Sequence, residues 1–129
     1  MIAVKLKGYK VSELSFVNKL EKNTQIKFGN KYSYNVRYSD SNICFGELTA
    51  EMFADEFPEK FGIKLVINGI FEYDKSLKKE EVHVQSFKAL FPYAKSVVST
   101  VSVNAGVPPM FLPEFDIDSQ SIYKFEKNI

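Results

Sequence analysis

Leu90-Phe91-Pro92-Tyr93-Ala94-Lys95 opens a stretch that continues through Ser96-Val97-Val98-Ser99-Thr100-Val101 to Asn104-Ala105-Gly106-Val107-Pro108-Pro109-Met110-Phe111-Leu112-Pro113. Around it, Val84, Phe87, Phe91, Ala94, Val98, Val101 and Ala105 recur at steps of three and four. That is the apolar face of a helix, and Leu90 and Val97 widen it. Glu80 and Glu81 suit the positive end of a helix that starts there. Pro92 either kinks one helix or starts a second. Gly106 and Pro108 end it. Residues 96–103 are rich in Ser, Thr and Val, which are weak helix formers. Packing must therefore hold this helix. The Pro-rich loop that follows is as apolar as the helix, so the unit needs a surface to cover it.

Upstream the period changes from 3.6 to 2. Ile26, Phe28, Tyr32, Tyr34, Val36 and Tyr38 hold even positions, with Lys27, Lys31, Ser33, Asn35 and Arg37 between them. This is a strand with one covered face. Asp40-Ser41-Asn42 has turn composition, and Ile43 to Phe53 alternates more weakly, which predicts a hairpin. Phe61, Ile63, Leu65, Ile67, Phe71 and Tyr73 form the next alternating run, and Ile2, Val4, Leu6, Leu14 and Phe16 the first. The pattern predicts four strands at about 2–17, 24–38, 42–54 and 60–74. Ile122, Phe125 and Ile129 predict a short C-terminal helix after a cap at Asp118 or Ser119. The fold class is α+β: one antiparallel sheet with helices on one face, in a single domain over residues 1–129.

Composition excludes several functions. The net charge is +1, so diffuse attraction to nucleic acid or anionic membrane is not expected. No apolar run reaches the ~18 residues of a membrane span. Lysines interrupt the first ten residues, so no signal peptide is read there. The lone cysteine, Cys44, fits a reducing compartment, and the cytoplasm is expected. Catalysis has few candidates. Cys44 lies in a predicted strand and reads as a buried, inert thiol. His83 is the only histidine, and no His/Cys cluster has metal-ligand spacing. The six glycines are scattered rather than gathered into a phosphate loop. No enzyme, metal or cofactor is expected. Tyr32, Tyr34 and Tyr38 beside Lys31 and Arg37 imitate a stacking platform for single-stranded nucleic acid. The alternation puts the basic residues on the opposite face from the rings, which weakens that reading.

Leu90-Phe91-Pro92-Tyr93-Ala94 followed by a basic residue, then a helix and a Pro-rich loop ending in Leu112-Pro113, resembles the SecB protein-export chaperone family. Gly69-Ile70-Phe71 at the end of the fourth strand matches a second family pattern. The resemblance implies a four-stranded antiparallel sheet with a crossover connection, a long helix and a short C-terminal helix. It also implies a homotetramer, a dimer of dimers, with the long helices at the subunit interface; Phe91, Tyr93, Val97, Val98 and Val101 would lie there. Members hold non-native polypeptides in apolar grooves. Met110, Phe111 and Leu112 of the loop, with Tyr32 and Tyr34, are the client-binding candidates. The crossover, about Asn18 to Thr24, lacks aromatic residues and implies a shallower groove than the family's. Docking to the translocase motor ATPase uses acidic sheet positions. Glu13 matches one, whereas Val17 and Lys64 stand at two others. The expected function is a cytoplasmic holdase, with export as one use. The alternative is a chaperone dedicated to one partner, such as a toxin–antitoxin pair.

Overall fold

In the computed structural model, which describes residues 3–114, the period-two segments become four strands and the period-3.6 segment one helix. The strands are β1 (Val4–Asn18), β2 (Phe28–Tyr38), β3 (Ile43–Ala54) and β4 (Phe61–Tyr73), and the helix is α1 (Lys79–Asn104). The predicted C-terminal helix lies outside the described residues. The sheet is antiparallel in the order β1-β4-β3-β2. The chain therefore crosses from one edge to the other between β1 and β2, over residues 19–27. Three strand spacings need about 14 Å. The seven residues counted from sequence would make this taut; the actual segment is longer because β2 starts at Phe28 rather than near residue 24. Ser41 and Asn42 take left-handed φ values of 68° and 60° in the β2–β3 turn, a conformation asparagine tolerates.

The even residues of β2 and β3 and the odd residues of β4 face α1. Leu48, Leu65, Ile67, Phe71, Leu90 and Val98 are fully buried between sheet and helix. The register of β1 explains its irregular pattern. Lys7 and Ser12 are extra residues against β4, and each resets the parity of the strand. Val4, Leu6, Tyr9, Val11, Leu14 and Phe16 consequently all share the helix-side face, although Tyr9 and Val11 are odd and the rest even. The Asn68 side-chain amide donates to the hydroxyl of the bulged Ser12.

The helix sits low over the sheet because two glycines face each other. Gly46 of β3 pairs with Gly69 of β4 on the helix side. A Cβ on Gly46 would collide with the Tyr34 ring, and one on Gly69 would come within 2.9 Å of the Phe71 ring and 3.1 Å of Leu90 Cδ1. The hollow they leave is filled by Tyr34, Phe71 and Leu90. Inside it, the Tyr34 hydroxyl lies 2.6 Å from Ser86 Oγ, which itself donates to the His83 carbonyl at 3.1 Å. Ser86 Oγ has one proton, so Tyr34 is the donor to it. Burial raises the Tyr34 pKa, which keeps that proton in place. The Tyr34 ring also meets His83 and Phe87 edge-on, with centroids 5.2 and 5.4 Å apart.

Helix α1 is continuous through Pro92, which settles the kink-or-restart choice in favour of one helix about 39 Å long. Pro92 is exposed and displaces no packing. The helix begins where Glu81 Oε1 accepts the Lys78 main-chain N–H at 3.0 Å. It ends where Gly106 adopts φ +85°, with Gly106 N–H donating to Val103 O and Val107 N–H to Ser102 O. This paired C-terminal motif turns the chain back along the helix.

Gly46→Ala should cost about 1–3 kcal/mol of unfolding free energy in chemical denaturation, because the displaced group is a packed ring. Burial holds the His83 imidazole below its usual pKa range. Its folded pKa lies under its unfolded one, so its contribution is present above about pH 6.5 and is lost as pH falls toward the folded value. The thermal midpoint of the protein should fall as pH drops below about 6.5, and His83→Gln should flatten that part of the profile.

Candidate polypeptide-binding groove

Two segments rise above the sheet at the same end: the crossover after β1 and the loop after α1. Between them lies a groove of about 730 Å³. Leu20 and Ile26 come from the crossover, Met52 and Phe61 form part of the floor, and Val107 to Phe111 form the opposite wall. Phe28 opens β2 at the groove with its side chain 45% exposed, and its ring lies 5.9 Å from that of Phe61. The lining is predominantly aliphatic and aromatic, with Glu21 and Lys22 on the crossover as its charged members. Such a surface offers dispersion and desolvation to an apolar side chain, and no nucleophile or metal-binding cluster. Among the described residues no group of His, Cys, Asp or Glu is arranged to hold a metal ion.

The loop residues divide by direction. Met110 and Leu112 are each 4% exposed and belong to the core, whereas Phe111 between them is 69% exposed. Phe111 therefore stands out from the groove wall, Met110 contributes a mostly buried edge to that wall and anchors it, and Leu112 is buried outside the lining. Tyr34 was a candidate for client contact, and its full burial under α1 closes it to any ligand. Tyr32 is half-buried beside the loop that follows α1 rather than in the groove. Its ring packs edge-on against Phe91, and its hydroxyl donates to Pro113 O at 2.9 Å. Burial, with the Glu114 carboxylate adding to it, pushes its pKa up to about 12.

The helix residues divide in the same way. Phe91 and Val98 point into the chain's own core, so neither offers a surface to a second copy. Tyr93 remains 43% exposed, and Val97 and Val101 are half-buried. Tyr93 lies against Tyr9 of β1 at 4.7 Å between ring centroids, and Val11 and Leu14 extend the exposed apolar strip along that edge strand.

Phe28 and Phe61 escaped the sequence reading as groove residues. The signal was present: Phe28 continues the even, helix-facing parity of β2 at a point beyond the end of the helix's cover. Cys44 is fully buried, and burial pushes its thiol up to about 11, so it stays protonated near neutrality. Lys31 and Arg37 lie on the opposite face of β2 from Tyr32, Tyr34 and Tyr38, and Arg37 covers the Phe45 ring there at 5.4 Å. No helix among the described residues is long and apolar enough to cross a membrane.

No family model matches the chain. It is 26% identical over 124 residues to the uncharacterized protein MJ0357 of Methanocaldococcus jannaschii, which spans 89% of this chain and 80% of that one. Among solved structures it is similar to the Mycobacterium tuberculosis Rv1957 SecB-like chaperone, which is in complex with a ChAD peptide from the Rv1956 HigA1 antitoxin. That similarity has a TM-score of 0.68 at 10% identity and covers 88% of this chain and 91% of the other. The sheet order, crossover and long helix described above are therefore those of the SecB-like chaperone fold.

Proposed function

We propose that the chain is a polypeptide-binding chaperone that holds non-native segments in the groove between crossover and post-helix loop. The observation that carries this reading is the apolar groove itself, open at Phe28 and Phe111. Its chemistry suits extended chain with bulky apolar side chains, bound without catalysis or cofactor. A holdase of this kind acts by mass action on the unfolded state. The cytoplasm is the compartment in which such clients and a reduced Cys44 would coexist.

A chaperone dedicated to one partner is the second reading, and the antitoxin peptide in the complex of the similar fold favours it. Export coupling has less support. Glu13, on the outer sheet face with Glu47, Glu51 and Glu72, is paired with Lys64 at 3.4 Å, and Lys7 approaches Glu72 at 3.9 Å. These pairs leave that face mixed in sign rather than acidic, and a docking site for the translocase motor would need charge it does not concentrate.

Assembly into a homotetramer belongs to the same proposal. β1 is a sheet edge of 15 residues with Val11 and Leu14 exposed on its helix side. A long apolar edge of that kind is an aggregation hazard unless it is covered. A second copy of the chain would cover it.

Two measurements follow from these readings. Light-scattering assays with several unrelated unfolded proteins should show suppressed aggregation, and Phe28→Ala should weaken suppression by about tenfold in concentration, the worth of one well-buried aromatic contact. Protection of a single partner protein and of no other would select the dedicated reading; protection of none would remove the general one. In analytical ultracentrifugation the protein should sediment as a multimer at micromolar concentration, and Leu14→Lys should shift it to smaller species. A wild-type monomer would overturn the assembly.

A further inference from the structure

Residues 107–114 form a strap that turns back along α1. Its fixed points follow one another closely. Ser102 Oγ accepts the Met110 main-chain N–H at 2.8 Å, and its own O–H donates to Ser99 O at 2.8 Å. Ser99 Oγ donates to the Met110 carbonyl at 3.0 Å. Met110 is thus held by both of its main-chain polar groups, from two hydroxyls one helical turn apart. Farther along, Leu112 is buried, Tyr32 holds Pro113 O, and Lys95 Nζ pairs with Glu114 Oε1 at 2.7 Å. Between two inward anchors the only direction left for Phe111 is outward, into the groove wall.

A helix does not need these serines. Both carry lower helix propensity than alanine, and Ser102 occupies a fully buried position where an apolar residue would pack. Their hydroxyls satisfy main-chain groups of a loop that has no regular partner of its own. Loss of either hydroxyl leaves a polar main-chain atom at Met110 that must find water, and the strap can reach water only by lifting from the helix.

We propose that Ser99 and Ser102 are the positioning residues of the groove: by clamping Met110 they set the place of Phe111 and keep the groove wall formed before a polypeptide arrives. The proposal rests on the groove being the polypeptide site. Its effect is preorganisation, which strengthens binding by sparing the ordering of the wall on contact.

The test is a double-substitution cycle in the full-length protein. The probe is a permanently unfolded, reduced and carboxymethylated protein bearing a fluorescent label, and the readout is its dissociation constant. Phe111→Ala should weaken binding about tenfold and Ser102→Ala about fivefold, while the double variant is no weaker than Phe111→Ala within about twofold. Ser102→Thr, which keeps a hydroxyl, should restore binding. Losses that multiply in the double variant would show that Ser102 acts independently of Phe111 and would overturn the inference. So would unchanged binding in Ser102→Ala when Phe111→Ala weakens it; the groove reading would then stand alone. Unchanged binding in Phe111→Ala would remove the groove wall itself, and this inference with it. Should Ser102→Ala fail to fold, Ser99→Ala, at a half-buried site, runs the same cycle. A ligand-free readout is also open, because the chain contains no Trp. In a Phe111→Trp background, Ser99→Ala should lower the fluorescence anisotropy of the indole, and an unchanged anisotropy would contradict the clamp.

Discussion

Everything above the sheet depends on how closely α1 approaches it, and that distance is set at Gly46 and Gly69. With no Cβ on either, the Tyr34 ring can lie across β3 and reach Ser86, and Leu90 can descend onto β4. A side chain at Gly46 would displace the Tyr34 ring, and one at Gly69 would press on Phe71 and on Leu90 of the helix; packed interiors do not absorb such changes without cost. Displacement of the Tyr34 ring would separate its hydroxyl from Ser86, and both residues are fully buried. The helix carries the post-helix strap, so the groove inherits its geometry from two glycines on the far side of the core.

The same dependence runs outward along the chain. Tyr32, next on the helix-facing side of β2, supports the strap at Pro113, and Phe91 packs on its ring. Phe28, two positions beyond Asn30 on the same face, is 45% exposed and lines the groove. One strand face thus changes role from core to strap support to exposed aromatic as the cover above it runs out. The groove opens where the cover over this face ends.

Much of this was readable in residue order. Alternation in β2 and β4 is strict because one face of each is buried, and the helix stripe is long enough to exclude a strand. The bulged β1 was only partly legible. Its apolar residues change parity twice, and only pairing with β4 reveals that Lys7 and Ser12 are the residues stepped over. The groove was legible at Phe111, whose loop is too apolar for solvent. It was not legible at Met110 and Leu112, because residues alternating in an extended strap point in opposite directions and no local rule says which direction is inward. Phe91 and Val98 met the same difficulty on the helix: a stripe identifies apolar positions, but one subunit's core and another subunit's surface draw on the same stripe.

The sequence by itself determined the four strands and the long helix, their order and the turn at Asp40-Ser41-Asn42, because these follow from local periodicity. Tertiary structure alone decided which apolar residues enter the core and which stay exposed. That division depends on the depth of the helix over Gly46 and Gly69, on the strand order that sends the crossover across the sheet, and on the hydroxyls of Ser99 and Ser102 meeting Met110 from the neighbouring turn. Each is a relation between distant segments, and burial is a property of such relations rather than of any residue's own chemistry.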